Sequence, residues 1–455
     1  KCALRGLPKA STSHPTCRLL PRYWPTLPDY PLRASPSSAA NMPELRSRPL
    51  EGIPPVLATP EEFTAAAARL AAGTGPFAID TERASGYRYD DRAFVVQIRR
   101  RGAGTVLFAP EGHREELTAA LAPVLNGTEW IIHAAHSDLP CLGWLGLFPG
   151  SIFDTELAAR LAGFERPNLG TMVAELFDVE LEKGYGDADW SAPQLSEELK
   201  AYAALDVELL LELAEALRDI LAEQDKMDWA LEEFSAIVQE HSGDFAPQPH
   251  TWRDLKGISS LRSGSQLAAA RALWFKRDAI ARRTDTAPGR VLANKTLVEI
   301  ARALPTTAGD LVRIKGFPRR RKGATAQWMA VLHQARAVPP QQRPRVHRAP
   351  QPVPSKTIWA KDYPDLWEIY QTIRADIADL ATELGMTSEL LIRPAALRAA
   401  VWAKVGVRAD KRHRGSDSVA GAIRQPGDVA AFLRAEGARE WQIEMTAPII
   451  VDGLF

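Results

Sequence analysis

Between residues 55 and 225, short apolar runs alternate with segments of helical composition, and after about residue 262 the apolar runs stop. The runs "FAID", "FVVQIR", "TVLFA" and "EWIIH" are typical of buried strands. Helices are predicted near 113–125, 138–145, 154–162, 168–177, 195–223 and 226–241. Such alternation predicts a mixed α/β layered domain with its strands early and its helices late.

Downstream of this domain the pattern is helical only. Segments from about 262 to 337 are amphipathic and divided by Gly and Pro, which predicts a compact helical bundle. A proline-rich stretch follows, and helices return from 358. The predicted organisation is a disordered leader over 1–42, an α/β domain over 43–245, a basic helical domain over 246–340, a proline-rich linker over 341–357 and a C-terminal helical domain over 358–455.

Composition limits the class of protein. The 455 residues are 45% hydrophobic and 25% charged, as in an ordinary globular protein. No apolar run approaches the roughly 20 residues of a membrane span, so no membrane partner is expected. Three cysteines form neither a disulfide framework nor zinc-ligand spacing, which favours a reducing, cytoplasmic location. A monomer is favoured, and Met42 is expected to be the first residue of the folded protein.

Charge is distributed unevenly along the chain. Residues 43–245 carry 16 Lys and Arg against 36 Asp and Glu, whereas residues 246–348 carry 21 against 5. A basic module beside an acidic body indicates binding of a polyanion such as nucleic acid. The alternative is that the two charge fields attract each other.

Carboxylates occur in three separate clusters. In "AIDTE", Asp80 and Glu82 lie two apart on a predicted strand and therefore project to one side, where a divalent cation would relieve their repulsion. Asp138 follows the strand "EWIIH", although a residue at a helix start needs no metal to explain it. In "YAALDVELLLEL", Tyr202 and Asp206 share one helix face.

Taken together, these clusters resemble the three exonuclease motifs of the DEDD superfamily, tyrosine branch, and residues 50–225 are similar to ribonuclease D. The resembling stretches are "FAIDTERASGYRYDDRAFVVQI", "IIHAAHSDLPCL", "IFDTELAARL" and "YAALDVELLLEL". "NKTLVEIARALPTTAGDLVRIKGF" resembles an HRDC domain, a nucleic-acid-binding fold. "GAREWQIEMTAP" resembles the tail of actinobacterial ribonuclease D proteins, and the C-terminal segment is expected to be either a second HRDC-like unit or a lid.

The resemblance implies a ribonuclease H-like α/β exonuclease domain followed by all-α HRDC-like domains. It makes Asp80, Glu82, Asp138 and Asp206 ligands of two divalent metal ions, Mg²⁺ or Mn²⁺, and it makes Tyr202 the residue that orients the attacking water. The implied activity is metal-dependent 3′→5′ exoribonuclease action that releases nucleoside 5′-monophosphates from structured RNA with a single-stranded 3′ end, tRNA precursors among them. A 3′→5′ DNA exonuclease and a non-catalytic nucleic-acid-binding adaptor are the alternatives.

Two further features bear on substrate binding. Family members often carry Ser-Asp-Trp and then Arg-Pro-Leu before the third motif, whereas "ADWSAPQL" keeps Asp189 and Trp190 but lacks the arginine. Asp154 is expected to be a scaffold residue that caps a helix. In "RIKGFPRRRKG", phosphate contacts are predicted for Arg319, Arg320, Arg321 and Lys322. The alternatives are a solvated basic loop and a loop that docks on the acidic domain.

Overall fold

The computed structural model describes residues 44–182, 184–243, 251–346, 353–409 and 423–455. The strands in these ranges are β1 Glu44–Arg46, β2 Val56–Leu57, β3 Thr74–Arg83, β4 Ala93–Arg101, β5 Gly104–Phe108, β6 Glu129–Ile132, β7 Ser151–Asp154 and β8 Val179–Leu181. The predicted leader, and the predicted boundary between 245 and 246, lie outside the described residues.

Nineteen α-helices occur in the described ranges. The first eight are α1 Pro60–Ala72, α2 Arg114–Leu125, α3 Leu139–Gly143, α4 Thr155–Ala162, α5 Leu169–Phe177, α6 Glu197–Glu208, α7 Leu210–Glu223 and α8 Met227–Glu240. The others are α9 Gly264–Arg283, α10 Pro288–Val291, α11 Asn294–Ala303, α12 Ala308–Arg313, α13 Ala324–Ala337, α14 Lys356–Asp362, α15 Pro364–Glu383, α16 Ser388–Leu391, α17 Pro394–Ala409, α18 Asp428–Ala435 and α19 Glu440–Leu454.

A six-stranded sheet in the order β2-β5-β4-β3-β6-β7 organises the α/β domain. β4 is antiparallel to both β3 and β5, whereas β3, β6 and β7 run parallel to one another. β3 is interior to the sheet, and Phe77, Ala78 and Ile79 on it are fully buried. The carboxyl ends of β3 and β6 therefore open at the same edge, which is where the first two acidic clusters come together.

The segment 195–223, predicted as one helix, is two helices in the structure. α6 ends at Glu208 and α7 begins at Leu210, with Leu209 at φ −107° and ψ 10° between them. The sequence there contains no Gly or Pro to signal a break. α6 packs on β3, β4 and β5, whereas α7 packs on β3, β6 and α4, so tertiary packing interrupts the helix.

The basic segment forms an all-helical bundle, α9–α13, as predicted. Its own core contains Trp252 and Trp328, with Trp274 packed partly buried against it. The bundle attaches to the connection between β3 and β4, because Tyr89 of that connection packs against the bundle core. This attachment places part of the bundle beside the edge of the sheet at which the acidic clusters meet.

The C-terminal helices α14–α19 share one hydrophobic core with the α/β domain. Trp229 of α8 stacks on Trp441 of α19 with ring centroids 4.9 Å apart. Lys226 Nζ donates hydrogen bonds to the carbonyl oxygens of Leu161 and Leu384, at 2.8 and 2.7 Å, and thereby ties the two parts together. Whether this segment is a second HRDC-like unit stays a prediction.

Among the described residues, no helix combines the length and the apolar character that a bilayer-crossing segment requires. Cys141, one of the three cysteines, is a buried free thiol.

Candidate active site

Asp80 and Glu82 lie near the end of β3, two residues apart, so both side chains leave the same face of the sheet. Gln97 faces Asp80 across the β3–β4 pair and is fully buried. Its Nε2 donates a hydrogen bond to Asp80 Oδ2 at 3.2 Å. The Gln97 amide thus orients the first carboxylate from the neighbouring strand.

Asp138 follows β6, and its carboxylate points to β3 rather than to its own helix. The residue stands at the N-terminus of α3 but makes no side-chain capping hydrogen bond. Asp138 Oδ1 instead accepts a hydrogen bond from Thr81 Oγ1 at 2.5 Å and lies 3.9 Å from Arg83 Nη1. A helix-cap role therefore does not account for this carboxylate.

The turn between β6 and Asp138 is held by Asp154. Ala134 adopts the left-handed region at φ 62°, which turns the chain sharply after β6. The Asp154 carboxylate accepts hydrogen bonds from the backbone N–H groups of Ala134 and Ala135, at 3.1 and 2.9 Å. It also caps α4 by accepting from Glu156 and Leu157, so its predicted scaffold role is confirmed.

Tyr202 and Asp206 are one turn apart on α6, which packs on the sheet through small buried residues such as Ala203 and Ala204. Aromatic rings hold Tyr202 in place. Its ring centroid lies 5.7 Å from that of Tyr185, edge to face, and 6.2 Å from that of Trp190. The third predicted cluster thus has a fixed orientation over the end of β3.

The three clusters converge. The carboxylate oxygens of Asp80, Glu82 and Asp206 offer ligand atoms that all lie within 4.8 Å of one another. Asp138 does not belong to this tight group. It lies close enough to the group that its negative charge contributes to the raised pKa of each of the three carboxyls.

Burial is the largest cause of the raised pKa values in this site. It raises the pKa of Asp80 well above the usual range and the pKa of Glu82 to about 9. It raises the pKa of Asp206 to about 7, with repulsion from Asp138 adding to the effect, and the pKa of Asp138 to about 6. Burial also raises the pKa of the Tyr202 hydroxyl, which like any phenol keeps its proton at neutral pH.

The donor set fits a hard divalent cation. Oxygen ligands from carboxylates are what Mg²⁺ and Mn²⁺ prefer. The three converging carboxyls have raised pKa values, which means that their charged forms are unfavourable in the folded protein. A bound cation would stabilise the charged forms. The cluster is therefore a candidate metal centre.

A cleft of about 400 Å³ opens next to these residues. Thr81, Glu82 and Arg83 line it from β3. Tyr87 lines it from the connection between β3 and β4, and Arg290 lines it from α10 of the helical bundle. A ligand in this cleft would thus contact two domains and would lie against Glu82, one of the clustered carboxylates.

Comparison with known proteins agrees with this geometry. Residues 55–222 match a family model described as "3'-5' exonuclease", residues 266–331 match "HRDC domain", and residues 352–454 match "3' to 5' exonuclease C-terminal domain". Ribonuclease D of Jannaschia sp. is 30% identical over 362 residues, which are 77% of this chain and 91% of that protein. The chain belongs to the ribonuclease D family. The predicted enzyme class, a 3′→5′ exoribonuclease, is thereby confirmed.

Other members of the ribonuclease D family and solved structures are similar along most of the chain. Ribonuclease D of Gluconacetobacter diazotrophicus is 30% identical over 75% of this chain and 86% of that protein. A crystal structure of a protein from Bifidobacterium adolescentis is 31% identical, with a TM-score of 0.76, over 90% of this chain and 99% of that one. Escherichia coli RNase D, at 22% identity and a TM-score of 0.58, covers 84% of this chain and 99% of that one and shows the same fold.

Several residues around the site were not predicted from the ribonuclease D motifs. Arg88 Nε donates to Ser191 Oγ at 2.7 Å, so an arginine from another part of the chain reaches the "ADWSAPQL" segment that lacks the family arginine. Arg83 and Arg290 line the cleft. The sequence signal for Arg83 was its position directly after Glu82, whereas nothing in the sequence linked Arg290 to the site.

The predicted phosphate-binding residues do not line the cleft and lie in the loop between α12 and α13. Arg319, Arg320, Arg321 and Lys322 are all exposed. No ion pair from them to a carboxylate is found within the described ranges, so the alternative that they dock on the acidic domain receives no support there. Gly316 shapes the start of this loop at φ 83°, and a Cβ there would meet Thr296 Oγ1 at 2.5 Å.

Proposed function

We propose that this protein trims the 3′ ends of structured RNA, tRNA precursors among them, and releases nucleoside 5′-monophosphates. The observation that carries this proposal is the convergence of Asp80, Glu82 and Asp206 within 4.8 Å, with Asp138 beside them and a cleft against Glu82. A cleft of about 400 Å³ suits a strand end rather than a duplex. A single-stranded 3′ end is therefore the proposed substrate.

In this proposal the four carboxylates hold two divalent ions, Mg²⁺ or Mn²⁺. When bound, such ions lower the pKa of a coordinated water and neutralise charge on the departing 3′-oxygen. The protein contributes the orientation of the ligands. Gln97 fixes Asp80 through its hydrogen bond at 3.2 Å, and Thr81 fixes Asp138 through its hydrogen bond at 2.5 Å. Such outer hydrogen bonds hold ligand oxygens in place for catalysis.

Tyr202 has the role of orienting the attacking water. The phenol is neutral at neutral pH, and burial raises its pKa further, so the hydroxyl can donate one hydrogen bond while accepting another. Its ring is held by Tyr185 and Trp190, so the direction of the hydroxyl is set before substrate arrives.

Replacement Tyr202→Phe is expected to lower the single-turnover rate about 10²-fold, because one positioned hydroxyl is lost while the ring is kept. The metal concentration at half-maximal rate should change little, because Tyr202 is not a ligand and acts on the ligand Asp206 only through a hydrogen bond. Tyr185→Phe is the control, since it leaves the ring packing intact and should change the rate little. A large shift in the metal requirement of Tyr202→Phe would contradict the water-orienting role.

The proposal as a whole is tested by a turnover assay. RNA hairpins with single-stranded 3′ tails are incubated with and without Mg²⁺ or Mn²⁺, beside DNA of the same sequence. Metal-dependent release of nucleoside 5′-monophosphates from the 3′ end of RNA is expected. Preference for the DNA would favour the DNA exonuclease, and binding without turnover in either metal would favour the non-catalytic adaptor.

The loop 319–322 is proposed to bind RNA phosphates outside the cleft. Replacing Arg319, Arg320, Arg321 and Lys322 with Ala should weaken RNA binding and flatten its salt dependence, by roughly 0.7 in slope per lost contact. The measurement is the dissociation constant across a range of salt concentrations. A matched control replaces four exposed cations of the C-terminal segment, Lys356, Lys361, Arg374 and Arg424. An equal effect of both replacements would refute a specific role for the loop.

The proposed location is the cytoplasm, because the buried thiol of Cys141 is unpaired, as suits a reducing compartment.

A further inference from the structure

The helical bundle places one cation in the active-site cleft. Arg290, on the short helix α10, lines the same cleft as Glu82 and Arg83. It is exposed to solvent within that cleft. The bundle therefore contributes directly to the wall of the exonuclease site, at a distance along the chain of more than 200 residues from the carboxylates of β3.

The contacts of Arg290 leave its outer edge available. Its Nε donates to the carbonyl oxygen of Gly86 at 2.6 Å, and its guanidinium carbon lies 4.0 Å from the ring centroid of Tyr87. These contacts use Nε and the flat face of the group. No hydrogen bond or ion pair of Nη1 or Nη2 is found within the part of the chain that the structure describes. A guanidinium edge with two N–H donors is the group that binds phosphate in a bidentate manner.

The segment before Arg290 is fixed to the exonuclease domain. The Asp285 carboxylate forms ion pairs with the guanidinium groups of Arg92, at 2.7 Å, and Arg88, at 3.3 Å. Ala287 N–H donates to the carbonyl oxygen of Tyr87 at 3.0 Å. These bonds tie the start of α10 to the connection between β3 and β4, so Arg290 keeps its place in the cleft without a bound substrate.

We propose that Arg290 is a substrate-binding residue of the exonuclease site and contacts a backbone phosphate of the RNA close to its 3′ end. This inference rests on the proposed function. Each linkage of the RNA carries one negative charge, and a cleft with clustered carboxylates at one end repels the linkages that no metal neutralises. A cation fixed on the opposite domain offsets that repulsion and sets where the strand lies relative to the carboxylates.

A purely structural role would make Arg290 a link between domains and nothing more. Arg282 provides the matched control for that role. It also belongs to the bundle, donates from Nη2 to the hydroxyl of Tyr89 at 3.0 Å and lies 5.3 Å from the Tyr89 ring centroid. Arg282 does not line the cleft, so its replacement removes a similar interdomain contact without touching the proposed phosphate site.

The experiment measures RNA binding in a background of Asp206→Asn, which prevents cleavage. The probes are 3′-tailed RNAs that carry one uncharged methylphosphonate linkage at successive positions from the 3′ end. Arg290→Gln is expected to weaken binding of unmodified RNA about tenfold and to reduce the salt slope by roughly 0.7. At one linkage, the methylphosphonate should weaken binding by the Arg290 protein but leave binding by the Arg290→Gln protein unchanged.

The controls decide between the roles. Arg282→Gln should remain sensitive to the methylphosphonate at that linkage, and Arg290→Lys should recover part of the affinity, since the charge is kept without the fork. The inference is wrong if, at every linkage, the methylphosphonate weakens binding equally in the Arg290→Gln protein and in the Arg290 protein. It is also wrong if Arg290→Gln leaves the affinity for unmodified RNA unchanged. Turnover by the protein with an intact Asp206 is measured in parallel. If this protein shows no turnover, the proposed function is refuted, whereas the binding data still decide the role of Arg290.

Discussion

Asp206→Asn is expected to abolish exonuclease activity, by on the order of 10³-fold or more, while leaving the fold intact. Asn has nearly the same shape as Asp but lacks the charge that a divalent cation needs from its ligand. Asp206 is one of three carboxylates that converge within 4.8 Å, so its loss removes a central ligand of the proposed metal site. Asp80→Asn is expected to have the same effect.

The same replacement should stabilise the metal-free protein above about pH 7, where Asp206 would otherwise be charged. Burial raises the pKa of Asp206 to about 7, which means that its charged form is disfavoured in the folded state. Removing that charge therefore relieves the cost of burying it and the repulsion from Asp138, and it breaks no ion pair among the described residues. Loss of activity together with a raised melting temperature is a signature that simple misfolding cannot produce.

The measurement is the single-turnover rate on 3′-tailed RNA, with thermal unfolding in metal-free buffer. Glu208→Gln is the matched control, because Glu208 is a buried carboxylate on the same helix whose Oε1 accepts from the backbone N–H of Leu50 at 2.6 Å. Its activity should stay close to that of the unmodified protein. Substantial activity in both Asp80→Asn and Asp206→Asn would refute the assignment of the site.

Added divalent metal should stabilise the protein more at high pH than at low pH. In the unfolded chain, carboxyls titrate near pH 4. In the folded protein the pKa is about 6 for Asp138, about 7 for Asp206 and about 9 for Glu82. Between about pH 4 and pH 9 the folded state therefore holds more protons than the unfolded state, and metal-free stability falls as pH rises.

A cation takes the place of those protons. Metal binding should release protons, and its apparent affinity should strengthen as pH rises toward 9. At a hundredfold excess over the dissociation constant, the gain in stability is about 2.7 kcal/mol. The measurement is the melting temperature at pH 6 and pH 8.5, each with and without Mg²⁺ or Mn²⁺. We expect the shift to be larger at pH 8.5 and largely absent in Asp206→Asn. A shift that is independent of pH would show that the metal binds elsewhere.

Local patterns were sufficient for most elements near the site. The strand around Asp80, the strand that precedes Asp138 and a helix that carries Tyr202 and Asp206 all follow from short-range composition and occur in the structure, although this helix ends at Glu208 instead of continuing to 223. The reason is that the two strands contain continuous apolar runs, whereas the helix is rich in Ala, Leu and Glu and contains no Gly or Pro. The strand β7, "SIFD", contains only two consecutive apolar residues, and the prediction missed it.

The sequence by itself determined the family, the acidic motifs and the division into an acidic exonuclease part and a basic helical part. The reason is that motifs and charge can be read directly from the residues of each segment. Only the tertiary structure decided that Asp138 bonds to Thr81 rather than capping a helix, and that α6 and α7 separate at Leu209. It alone placed Arg290 in the cleft. These features depend on which distant segments of the chain pack together. The residue pattern within one segment does not show which other segment it contacts.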